Sequence, residues 1–170
     1  EELIKANGKI KVVTITGASN VTGYITPIHD IARLAHKYGA VIIVDGAQLI
    51  AHREVNLAGN SKDEEIDFLT FSAHKAYAPF GSGAIVGKKD YLNEEDPFLS
   101  GGGCVAGVFD ERLIWTAVPE KYEAGTQNFF GAIAMAKALS DLKNIGFQNI
   151  EMHEKLLKDY IINSMKSIKN

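Results

Sequence analysis

The sequence predicts an α/β protein on a mostly parallel β-sheet with one antiparallel strand, and three observations carry that expectation. Short apolar runs at 9–16, 40–44, 66–71 and 84–87 have the length and the Val, Ile and Phe content of buried strands. A helical period separates the first two runs, and strand, helix, strand is the order of a parallel pair joined by a right-handed crossover. The link from the third run to the fourth is only about a dozen residues and has no helical pattern. That is short for a crossover, so the fourth strand is expected to run antiparallel.

Each element has its own local reason. Lys9–Thr16 reads as a strand, and Gly17-Ala-Ser19-Asn20-Val-Thr-Gly23 as the loop that follows. Pro27 opens a helix whose apolar positions Ile28, Ile31, Leu34 and Ala35 share one face, and Gly39 closes it. The second strand ends in Asp45-Gly-Ala-Gln48, after which the chain turns polar as far as Glu65. The third strand leads into Ser72-Ala-His74-Lys75, and Gly81-Ser-Gly83 introduces the fourth. The pattern loosens from Leu99 to Trp115. Residues 127–143 then read as a helix rich in small side chains, and 147–168 as a second helix with apolar positions three or four apart. The N-terminal Glu-Glu-Leu-Ile-Lys-Ala reads as the end of a helix, and the whole as one unit, 1–170, cut from something larger.

Composition narrows the function classes. An apolar share of 46% and a charged share of 23% are ordinary for a globular domain of this length. A net charge of −3 with both signs interspersed gives no footprint for nucleic acid. No apolar run approaches the roughly 20 residues that cross a bilayer, and the N-terminal residues lack the pattern of a signal peptide. The single cysteine, Cys104, excludes an intrachain disulfide framework and suits a reducing compartment, so a cytoplasmic address is expected. His29, His36, His52, His74 and His153 show no metal-ligand spacing, and no metal is expected. Cys104 reads as incidental.

The chemistry lies at the strand ends. In open α/β sheets ligands collect past the carboxyl ends of the strands, where both Asp45 and Lys75 are expected. A lysine and an aspartate so placed are what an enzyme needs to hold pyridoxal phosphate: the amine forms a Schiff base, and the carboxylate keeps the pyridine nitrogen protonated. Each residue also has a plainer reading. Lys75 alone is a loop charge, although Ser72 and His74 flank it and a lysine sheltered on apolar strands is a stronger nucleophile. Asp45 alone is a helix cap, Gln48 a surface amide, and Ser19-Asn20 turn chemistry. Thr126 is the expected N-cap of the helix at 127–143, a place that also binds phosphate. Neither a Walker A loop nor GxGxxG is present, so a nucleotide-binding domain is disfavoured.

Four motifs in order, Asn20-Val-Thr-Gly, Val44-Asp45-Gly-Ala-Gln48, Phe71-Ser72-Ala-His74-Lys75 with Gly81-Ser-Gly-Ala, and Glu123-Ala-Gly-Thr126, resemble the class V aminotransferases over roughly 9–145. Cysteine desulfurases and selenocysteine lyases are the most similar members. The resemblance implies part of the three-layer large domain of fold-type I, with an antiparallel strand after the lysine strand. It implies pyridoxal 5′-phosphate as cofactor, with Lys75 as the Schiff-base lysine and Asp45 on the ring nitrogen. Gln48 is implied on the phenolic oxygen, Ser72 and His74 on the phosphate, and Asn20 near cofactor and substrate. Lys75 and His74 are the implied catalytic pair. Thr126 is implied to reach the phosphate of a neighbouring subunit, hence a homodimer with shared sites, an amino-acid substrate and a sulfur-acceptor protein.

This chain departs from that family in length. The upstream phosphate loop and ring-stacking residue have no counterpart here, nor do the downstream arginine that grips the substrate carboxylate and the loop with a desulfurase's persulfide cysteine. Cys104 lies in the wrong segment to be that cysteine. Expected activity is therefore that of the longer protein. Transaminase, epimerase and other lyase chemistry stay open beside desulfurase, as does a non-catalytic truncated domain.

Overall fold

Four strands make the main sheet in the computed structural model, which describes residues 2–6, 8–166 and 168. They are β1 (Val12–Thr16), β2 (Val41–Asp45), β3 (Phe68–Ser72) and β4 (Gly83–Gly87), ordered β1-β2-β3-β4. The first three run parallel, with Thr16 and Asp45, the last residues of β1 and β2, in register with Thr70, two residues before the end of β3. β4 is antiparallel to β3, pairing Ser72 with Gly83 and Phe68 with Gly87, so the short link does produce the expected reversal. Helices are α1 (Glu2–Ala6), α2 (Ile28–Lys37), α3 (Lys89–Glu94), α4 (Phe129–Ile145) and α5 (Phe147–Lys166). Of the two further residues expected at the end of α5, 167 lies outside the described residues and Ile168 is not helical.

The core sits between one sheet face and α2. Val13 and Ile15 of β1, Ile42 and Val44 of β2 and Leu69 of β3 meet Ile28, Ala32 and Ala35 of the helix. Ala32 and Ala35 are fully buried, and their small size lets α2 lie close on the strands. Gly39, at φ +70°, ends the helix in the left-handed turn that glycine adopts without strain, with Ala40 N–H bonded to Ala35 O at 3.0 Å. On the opposite face Tyr91 of α3 covers Phe68, ring centroids 5.9 Å apart, while Val12 and Ile85 stay exposed.

Asp67, just before β3, ties three elements together. Its Oδ2 accepts from Ile42 N–H and His36 Nε2, both at 2.8 Å, and its Oδ1 from Lys88 Nζ at 2.7 Å. Burial alone pushes this carboxyl up, but Lys88, His36 and the Ile42 amide more than offset it and hold it below the ordinary range.

Three elements depart from the sequence expectation. Val105–Phe109 (β5) and Arg112–Trp115 (β6) form a separate hairpin in the stretch read as irregular, and α3 was not anticipated. Arg112 covers the Phe109 ring at 5.0 Å across the Asp110-Glu111 turn.

Gly83 shows how closely β4 approaches the lysine strand. A Cβ there lies 2.7 Å from the Phe71 carbonyl oxygen, a backbone atom that cannot step aside. Gly83→Ala is expected to cost about 1–3 kcal/mol, measured as a lower urea midpoint with an unchanged slope.

Candidate active site

The first site element is the loop after β1. Ser19 Oγ accepts from Val21 and Thr22 N–H at 3.2 Å, and Ser19 N–H bonds Tyr24 O at 2.9 Å. Ser19 thus makes the turn, and the Asn20 amide is left exposed and uncommitted among the described residues.

Asp45 is the last residue of β2 and is exposed. Its Oδ1 accepts from Ala47 N–H at 2.9 Å, a local cap, and its other oxygen stays open. Both readings of this residue are therefore compatible. The turn that follows carries Gln48, half-buried, and packs Leu49 into the sheet core. Asn20 and Gln48 come together on a depression of about 380 Å³, walled also by Ile25, His52, Arg53 and Glu154.

Ser72 ends β3, and His74 and Lys75 ride on a single 3-10 turn, Ala73–Ala76, whose first and last residues are fully buried. That spacing anchors the turn by its alanines and turns His74 and Lys75 outward. Lys75 stands exposed, not sheltered against the strands as the sequence reading expected. Beyond it Tyr77 (φ +67°) and Phe80 (φ +74°) hold left-handed backbone, which bulky side chains seldom adopt.

Thr126 corrects another expectation. α4 begins at Phe129, and its cap is Asn128, whose Oδ1 accepts from Gly131 N–H at 3.0 Å. The same side chain donates to Phe80 O at 2.6 Å, and Ser82 Oγ donates to Gly131 O at 2.8 Å, so the start of α4 is fastened to the segment after Lys75. The Asn128 amide suits both jobs because its donor and acceptor are separate atoms, Nδ2 for Phe80 O and Oδ1 for Gly131 N–H. Thr126 is exposed two residues upstream, in a loop pinned by Gly125 N–H to Gly102 O at 2.8 Å.

Cys104 is buried, its Sγ donating to Gly101 O at 2.9 Å and accepting from Gly101 N–H at 3.1 Å. It is a packing residue of that loop. A larger hollow of about 530 Å³ lies against the β5–β6 hairpin, lined by Asp96, Glu111 and Trp115 and none of the motif residues. Among the described residues no three His, Cys, Asp or Glu side chains converge as a metal set, and no helix is long and apolar enough to cross a membrane.

The chain's kinship accords with this sheet edge. The sequence profile described as Aminotransferase class-V matches residues 1–170. The chain belongs to the class-V aminotransferase family. It is 39% identical over 150 residues to a cysteine desulfurase of Haloferax volcanii, covering 88% of this chain and 34% of that protein. It is 36% identical over 162 residues to a probable cysteine desulfurase of Halalkalibacterium halodurans, covering 94% and 38%. Among solved structures, a cysteine desulfurase from Escherichia coli in an S-sulfonic acid form superposes at TM-score 0.85 with 29% identity, over 98% of this chain and 41% of that one. The apo cysteine desulfurase of Thermococcus onnurineus gives 0.80 with 35% identity, over 93% and 40%. The chain thus spans about two fifths of these relatives, and its mostly parallel sheet with one reversed strand is the fold-type I arrangement they share.

The donor set fits pyridoxal phosphate. Asn20, Gln48, Ser72, His74, Lys75 and Thr126 have side chains with no hydrogen bond among the described residues, and Asp45 keeps one oxygen free. That set offers an amine for the aldehyde carbon, a carboxylate for a ring N–H, and hydroxyl, imidazole and amide donors for oxygen anions.

Sequence reading missed the His52, Arg53 and Glu154 cluster on the depression wall. Glu154 Oε2 accepts from Arg53 Nη1 at 2.7 Å and its Oε1 from His52 Nδ1 at 2.5 Å. Burial pushes the Glu154 carboxyl up, yet Arg53 and His52 hold it below its ordinary value. Only a contact across 102 positions makes the cluster, and no local pattern announces that.

Proposed function

We propose that this chain is the cofactor-lysine part of a pyridoxal-phosphate-dependent cysteine desulfurase. One observation carries the reading: Asp45 and Lys75 lie at or just beyond the carboxyl ends of neighbouring parallel strands, each with an uncommitted polar atom. Relatives named as cysteine desulfurases support the choice of reaction within the family.

Bound there, pyridoxal phosphate supplies an electron-withdrawing ring that weakens the bonds at the α-carbon of an amino acid. The protein's residues do the rest. Lys75 Nζ would hold the cofactor by its aldehyde carbon and, as a free amine, would carry a proton to and from the substrate, with His74 beside it. The open Asp45 oxygen accepts from the ring N–H, and Gln48 donates to the phenolic oxygen. Ser72 and His74 grip the phosphate, and Asn20 orients cofactor and substrate.

Thr126, on its exposed loop, reaches the phosphate in a second copy, so the working form is a homodimer with shared sites. A sulfur-acceptor protein takes the product sulfur, and the setting is the reducing cytoplasm.

A titration of the purified protein with pyridoxal phosphate, followed by absorbance, tests this. A visible band beyond that of free cofactor is expected, with Asp45→Ala weakening the affinity about tenfold or more. A spectrum equal to the sum of free cofactor and protein would sink the reading.

A further inference from the structure

The turn after β2 is closed by a few main-chain bonds. From Gly46 to Arg53 its main-chain bonds are Ile50 N–H to Gly46 O, and His52 and Arg53 N–H both to Leu49 O, all 2.9–3.0 Å, with the ladder bond of Gly46 to Thr70 O at 2.8 Å. How it seats against the rest of the molecule is set by its side chains. Leu49 is held in the sheet core, and Ala51 in a smaller cluster with Ala76 and Leu142 that also anchors the lysine turn.

Apolar contact of that kind adheres without fixing rotation. The directional element is Glu154 of α5. A carboxylate only accepts, so His52 Nδ1 carries the proton in the 2.5 Å bond, and Arg53 grips the other oxygen at 2.7 Å while also donating to His52 O at 2.6 Å. His52 stands four residues from Gln48, and both face the same depression.

We infer that Glu154 is a positioning residue for Gln48: through His52 and Arg53 it fixes the turn so that the Gln48 amide points at the cofactor's phenolic oxygen. The inference rests on the cofactor reading of Gln48. It gives α5 a part in the site although no residue of that helix is buried. Adhesion alone would call for an apolar side chain at 154. The clamp instead spends a charge where direction matters.

The test uses the intact protein with Glu154→Gln, Gln48→Ala and the double variant, and Glu151→Gln as control, since Glu151 lies 3.8 Å from Arg53 and is exposed. Pyridoxal phosphate affinity and the pH midpoint of its visible band are read together with Tm. Glu154→Gln is expected to weaken affinity about tenfold and raise the midpoint, because a lost donor disfavours the ionised phenolic oxygen. In the Gln48→Ala background the same change should add less than about twofold, and Glu151→Gln should do nothing. Equal losses in both backgrounds, or a lower Tm with an unshifted midpoint, would overturn the clamp. If Gln48→Ala itself leaves band and affinity untouched, the cofactor role of Gln48 falls first, and the clamp with it.

Discussion

Lys75→Ala is expected to leave a protein that folds as before but no longer fixes its cofactor. The side chain is exposed and bonds nothing among the described residues, so its removal costs the fold little. Its chemistry has no substitute, because the other candidates offer imidazole, hydroxyl, amide or carboxylate groups and none is an amine that can take an aldehyde carbon. After borohydride treatment, mass spectrometry should find the cofactor on the peptide carrying Lys75 in the parent and on no peptide in the variant. In the intact protein turnover should fall at least 10²–10⁴-fold, roughly the contribution of a positioned acid–base group. A variant that keeps the trapped label, or most of its turnover, would show that the catalytic amine lies elsewhere.

The largest stability effect is expected at Asp67. Alanine there leaves the buried Ile42 amide and His36 Nε2 without their partner beside a nearly closed site, the Asp67 side chain being only 1% exposed, while Lys88 keeps Glu65 Oε2 at 2.9 Å. Leaving such donors unsatisfied costs about 1–3 kcal/mol each, or roughly 10 °C in Tm for the two in a chain of this size. Acid should do the same in stages. The folded state holds this carboxyl below its ordinary value, so the stabilisation is complete above about pH 4 and is lost as the pH falls through the depressed folded value. Urea midpoints from pH 7 to pH 3 should fall steeply for the parent and more gently for Asp67→Ala. Parallel curves would mean that other carboxylates, such as Glu64 and Glu154, dominate acid unfolding.

What could be read from the sequence follows the range of the forces involved. The strands and α2 announce themselves because burial imposes a period on contiguous residues, and the reversal of β4 follows from chain length alone. The place of Asp45, Gln48, Ser72, His74 and Lys75 at the sheet edge was legible for the same reason: each lies within three residues of a strand end. The hairpin escaped notice because a register shift between Val105 and Gly107 breaks its alternation, and its Asp110-Glu111 turn lacks a glycine signal. The cap of α4 was misplaced because Thr126 and Asn128 are both good caps, and only the approach of Phe80 O selects the amide. The functional reading of Lys75 took it as sheltered on the strands, whereas its 3-10 turn swings it outward, where the plainer reading as a loop charge puts it.

The two left-handed residues after Lys75 set stability and precision at odds. Tyr77 and Phe80 hold backbone that glycine would adopt without strain, at a cost of about 1–3 kcal/mol each. The bonds from Asn128 to Phe80 O and from Ser82 to Gly131 O offset that cost and, in doing so, draw the lysine turn and α4 into one rigid piece. A glycine at either position relaxes the loop and gives it more conformations to visit. On the proposed role of Lys75, the most stable chain and the best-aimed lysine call for different residues at 77 and 80, and Tyr77 and Phe80 suit the second.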